Sequence, residues 1–129
     1  MRIFKNAWFV RFSHAHRISD DTLREAILLA ENGQVDADLG GGVLKQRLAR
    51  PGQGKSKGYR AIILHCAGHR AFFVYGFAKS DRENIRTDET AQFKKMAKHI
   101  FGLSEAQLNT LIANGQIEEI ESNDEKISK

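Results

Sequence analysis

The chain has one cysteine, one proline and one tryptophan in 129 residues. A lone Cys66 excludes an internal disulfide framework and fits a reducing compartment. It lies in an apolar run and reads as an inert core thiol. No apolar stretch approaches the roughly 20 residues of a membrane-spanning helix. The opening MRIFKNAWFVRFSHAHR is interrupted too often by Arg, Lys and His for a signal peptide. A soluble, cytoplasmic chain with no membrane partner is expected. Internal repeats and low-complexity segments are also missing. His14 and His16 share a face only in a strand and have no third ligand nearby, so no metal is expected, and nothing implies another cofactor. His65 and Cys66 are adjacent, point to opposite faces of a strand, and cannot pair as base and nucleophile. Gly40, Gly41 and Gly42 precede neither a helix signal nor a GK[ST] ending, which argues against a nucleotide loop.

What is present is one domain's worth of core and an uneven charge. The hydrophobic fraction is 41% and the formal charge +4. Residues 1–86 sum to +7 and residues 87–129 to −3. Six cations and no acid fall in LKQRLARPGQGKSKGYR, residues 44–60. A basic body with an acidic tail points to a polyanionic partner; a solvated basic face is the alternative.

The periodicities predict an α+β fold. MRIF reads as a short edge strand. Trp8, Phe9 and Phe12 fall at helical spacing. Ser19 reads as the N-cap of a helix through DDTLREAILLAEN, with Gly33 ending it. VDADLGGG reads as a turn. In VLKQRLA, Lys45, Arg47 and Ala49 alternate with Leu44, Gln46 and Leu48. RPGQGKSKG reads as a loop, YRAIILHC and RAFFVYGFAK as strands joined at AGH. These give a three-strand antiparallel meander plus the N-terminal edge strand, packed with helices at both ends of the chain. TDETAQFKKMAKHIF reads as a helix broken at Gly102, and Ser104 with Gln107 as a capping box opening a last helix that Gly115 ends. That helix pair has the layout of a helix-turn-helix. Its second member carries no Lys or Arg, so a packing role is preferred over DNA reading. Residues 122–129 have the composition of a frayed tail.

The basic stretch is the main chemical candidate. Lys45 and Arg47 share a strand face, Arg60 begins the neighbouring strand, and Lys55 and Lys57 lie between. Like charges converging on a sheet face are unfavourable without an anion, which argues for a nucleic-acid backbone as ligand. Tyr59, Phe73, Tyr75 and Phe77 are near enough for some to stack on single-stranded bases.

GGVLKQRLARPGQGKSKGYRAIIL followed by AFFVYGFAKSDRENI resembles the RelE/ParE superfamily of toxins, closest to its HigB-like branch. The matching features are Gly41-Gly42, Lys45 and Arg47, Gly54-Lys55, Arg60, and Lys79-Ser80-Asp81. The resemblance covers roughly residues 1–100 as a toxin domain, with 101–121 as a helical extension packing on it. It implies the toxin of a type II toxin–antitoxin system that cuts mRNA in the ribosome. It also implies a cognate antitoxin, itself carrying a helix-turn-helix. The implied chemistry needs no metal: a ribose 2′-OH attacks the adjacent phosphate, leaving a cyclic phosphate and a 5′-hydroxyl. Carried over by position, Arg60 meets the scissile phosphate. Lys55 and Lys57 bind phosphate or move protons, and Lys45 and Arg47 hold the backbone or stabilise the transition state. Arg50, Tyr59, Lys79, Arg82 and Arg86 contribute to RNA binding. Ser80 stands where some members have Arg, and Arg86 where some carry Tyr. A ParE-like gyrase inhibitor and a non-catalytic RNA-binding module are the competing readings.

Overall fold

Local signals set the first half of the chain. Arg2–Asn6 form β1, and the Asn6 side chain then accepts from the Phe9 amide at 2.8 Å, opening α1 (Ala7–Ala15). Ser19 accepts from the Thr22 amide at 3.2 Å and opens α2 (Asp20–Glu31). Gly33, at φ +78°, turns the chain out of α2. The remaining elements are β2 (Ala37–Gly40), β3 (Val43–Arg50), β4 (Gly54–Cys66), β5 (Arg70–Ala78), α3 (Thr87–Phe101), α4 (Glu105–Ala113) and β6 (Ile117–Ile120). The computed structural model describes residues 1–50 and 54–121, and among these the side chains of all but residue 50 and residues 54–57.

The six strands form one sheet in the order β2-β3-β4-β5-β1-β6. Only β1 with β5 is parallel; the other neighbours are antiparallel. The β3-β4-β5 meander is the one the alternating sequence predicts. Helices α1 and α2 cover one face over a core that includes Phe9, Leu23, Ile27, Leu48, Ile63 and Phe73. Helices α3 and α4 cover the other over Phe4, Val43, Ile62, Leu64, Phe72, Ala97 and Leu108. Leu108 is fully buried, so the second helix of the last pair packs on the sheet. Among the described residues, no helix is long and apolar enough to cross a membrane.

The structure departs from the sequence expectation in four places. β1 is not an edge strand: it lies between β5 and β6, with Ile3 in one core and Phe4 in the other. Residues 37–40 are a strand rather than a turn, and the turn is Gly41-Gly42, at φ +62° and +81°. A Cβ on Gly42 would lie 2.6 Å from the Phe101 ring, so α3 packs directly on this turn. β4 begins at Gly54, not Tyr59, which removes most of the expected loop. Residues 117–120 are a strand, not part of a helical extension. Ile117 enters the α3–α4 core and Ile120 the α1–α2 core, because residues three apart on a strand point to opposite faces. The tail at 122–129 lies outside the described residues.

Candidate functional site

Cross-strand register builds the site. Arg47 pairs with Arg60, and Arg60 with Phe77; one step along, Lys45 pairs with Ile62, and Ile62 with Tyr75. Paired residues point to the same side, so the cations stand on the sheet face that carries α3, where the apolar rows Ile62 and Leu64 give way to charge. Gln46, between them in sequence, points the other way and is buried.

Asp36 gathers the cations. Its Oδ1 accepts from Arg47 Nε at 2.9 Å, while Oδ2 lies 3.4 Å from Arg60 Nε and 3.7 Å from Lys45 Nζ. The carboxylate is mostly buried, with a side-chain exposure of 13%. Its backbone is fixed from beneath the sheet: the Asp36 amide donates to Gln46 Oε1 at 3.2 Å. Gln46 Nε2 in turn donates to the carbonyls of Ala26 and Gln34 at 3.2 and 2.9 Å. A buried amide therefore ties the middle of α2 and the segment that follows it to the acid.

The three cations are not equivalent. Arg60 is only 4% exposed and forms the floor, its Nη1 donating to the Tyr59 carbonyl at 3.5 Å. Lys45 is partly covered and donates to Asn84 Oδ1 at 3.3 Å. The Arg47 side chain is half exposed, and among the described residues no hydrogen bond engages its terminal nitrogens.

A third arginine closes the rim. Arg82 Nη1 donates to Tyr75 Oη at 3.0 Å, and its two Nη groups meet the Glu89 carboxylate at 3.1 and 2.6 Å. Its Nε donates to the Asn84 carbonyl, and the guanidinium lies over both Tyr75 and Phe77. Hydrogen bonding from Arg82, then from the Arg86 amide, pulls the Glu89 carboxyl down to about 2. Hydrogen bonds from Arg82 to Glu89 and Tyr75 raise the Arg82 guanidinium further above its already high value. Arg82 is thus spent holding the β5–α3 connection. This loop places Asn84 against Lys45.

Of the residues singled out in sequence, Lys45, Arg47 and Arg60 come together. The side chains of Arg50, Lys55 and Lys57 lie outside the described residues. Tyr59 is on the opposite face, 3% exposed, packed against Phe12 and His16, so its ring is a core ring and not a stacking surface. Its strand parity, opposite to that of Arg60, is the reason. Lys79 is exposed at the end of β5. Arg86 precedes α3, 67% exposed and bonded to Asp88 at 3.0 Å. Sequence reasoning missed Asp36, Gln46, Asn84 and Glu89. The one available signal is the repulsion among the cations, which argues for an anion; the chain supplies one itself in Asp36.

No curated protein matches the chain. A family model described as the RelE toxin of RelE/RelB toxin–antitoxin systems matches residues 1–120. The match runs through β1, the cation-bearing meander, α3, α4 and β6, and the α+β fold is consistent with it; the chain belongs to the RelE toxin family.

Proposed function

We propose that this toxin is a ribosome-dependent mRNA endoribonuclease. The observation that carries the reading is the convergence of Lys45, Arg47 and Arg60 on one patch of a rigid sheet, where three cations share a single carboxylate. Such a patch keeps excess positive charge for a phosphate. In the proposed reaction the 2′-oxygen forms a bond to phosphorus while the P–O5′ bond breaks. A base takes the 2′-OH proton and an acid returns one to O5′. Arg47, exposed, meets the phosphate; Lys45 flanks it; Arg60 stabilises the growing negative charge from the floor. A cognate antitoxin, with its own helix-turn-helix, would neutralise the patch by covering it with acidic side chains.

The test is transcript 5′-end mapping after brief induction in bacterial cells, beside an Arg60→Ala control. New ends within translated codons, absent in the control, are expected. Growth arrest without new ends would reject the nuclease in favour of a gyrase-type target. No effect on growth or RNA would leave a passive binding module.

A further inference from the structure

Asp36 is out of place in a site meant for phosphate. A carboxylate beside the cations opposes the binding of another anion, and removing it would raise ground-state affinity. Yet it is mostly covered, braced by Gln46, and touches all three cations. The contacts explain what it does for them. Arg47 and Arg60 face each other across paired strands, an arrangement that drives like charges apart. Asp36 accepts a hydrogen bond from Arg47 Nε and holds Arg60 Nε at 3.4 Å, so one carboxylate anchors both guanidiniums while the Arg47 side chain stays half exposed.

Resting on the endoribonuclease reading, we propose that Asp36 is a positioning residue for RNA cleavage. It aligns the Arg47 and Arg60 guanidiniums for the transition state at the expense of ground-state affinity for RNA. A fixed counter-charge keeps the cations from clamping the ground-state phosphate. The anion opposes charge in the transition state as well, so what it contributes is orientation: guanidiniums already held in place need no reorganisation as charge builds on the reacting oxygens.

The proposal predicts that binding and catalysis move in opposite directions. Wild type, Asp36→Asn and Asp36→Glu would be compared on programmed ribosomes for cleavage rate at saturation. Anisotropy with a non-cleavable 2′-O-methyl oligonucleotide at several salt concentrations would give affinity. Asp36→Asn should cut the saturated rate at least about tenfold, as removal of one oriented charge contact does. It should also tighten oligonucleotide binding and steepen the log–log salt slope by up to about 0.7. Asp36→Glu keeps the charge but displaces it by one methylene: its affinity should stay at the wild-type value with only partial recovery of rate. A purely structural acid would lower rate and affinity together, and that result overturns the proposal, as does a wild-type rate in Asp36→Asn. If Asp36→Asn does not fold, Asp36→Glu decides: a wild-type rate refutes positioning, and a lowered rate at unchanged affinity supports it. Failure of the wild type to cleave rejects the endoribonuclease reading instead.

Discussion

Gly76 offers a sharp test of the packing that supports the site. It sits in β5 opposite Ala61, at an ordinary backbone angle, so only space demands glycine there. A Cβ would lie 2.5 Å from Phe12 Cε2 and 3.0 Å from both Cδ2 and Cζ. Relaxed carbon contacts lie at about 3.5–4.0 Å, so the ring must retreat by about 1 Å. It has little room: Trp8 stacks on it at 5.2 Å, and Phe9, His16 and Tyr59 surround it. Overpacking of this kind costs about 1–3 kcal/mol, while replacing a strand glycine with alanine returns about 0.5–1 kcal/mol. Gly76→Ala should therefore destabilise by about 1 kcal/mol net, a fall of roughly 3–6 °C in Tm for a chain of this size. Trp8 is the only tryptophan, so its fluorescence during urea unfolding reports on the stack that moves. Pairing the change with Phe12→Leu should yield a favourable coupling energy, because the clash disappears. A Gly76→Ala protein as stable as the parent, with the same Trp8 emission and no coupling to Phe12, would refute this account.

Two further outcomes follow from the cationic face. Arg60→Lys keeps a charge but loses the fork that spans Asp36 and the Tyr59 carbonyl. One charge-assisted hydrogen bond of about 1.5–3 kcal/mol corresponds to roughly 10–100-fold in cleavage rate, whereas oligonucleotide affinity should change little; equal losses in both would favour a passive binding module. Glu89 is held at about 2 when folded, below its unfolded value near 4.5, so its contribution is full above pH 4.5 and is lost as the pH falls towards 2. The difference in urea midpoint between wild type and Glu89→Gln should shrink over that window, and a difference that is flat with pH would contradict the Arg82–Glu89 pairing.

What could be read in the sequence was what local chemistry decides. Ser19 and Ser104 cap their helices because the hydroxyl reaches an amide three residues on, a contact independent of the rest of the fold. Lys45 and Arg47 share a face because strand parity fixes it. The missing parts depend on partners far away in the chain. IEEI is a strand only because β1 lies beside it, and its two isoleucines serve different cores, which erases any alternation. MRIF carries no sign of two neighbours, since the interior position is created by the return of the chain after α4. Asp36 looked like a turn residue; only the register that sets β2 against β3 brings it to Arg47 and Arg60.

The same long-range pairing explains why the charge is concentrated where it is. The net −3 of the last 43 residues suggests a tail that repels polyanions. Three of its described acids are engaged at the other end of the sheet, while Asp88 and Glu89 pair with Arg86 and Arg82 beside the site. Glu119 bonds Arg2 at 2.8 and 2.9 Å, Glu105 bonds Arg2 and holds Arg70 at 3.0 Å, and Glu118 stands 4.0 Å from Lys5, which Asp20 also meets at 3.1 Å. Arg2, Lys5 and Arg70 thus each have at least one acid, whereas among the described residues Lys45, Arg47 and Arg60 divide a single carboxylate. Paired exposed charges contribute little field beyond a Debye length, so Arg2, Lys5 and Arg70 add little to the potential that a distant RNA feels. The acidic C-terminal segment therefore silences three cations that would otherwise compete with the patch at the β3–β4 end, so the charge asymmetry of the sequence is in part an arrangement of pairs across the sheet.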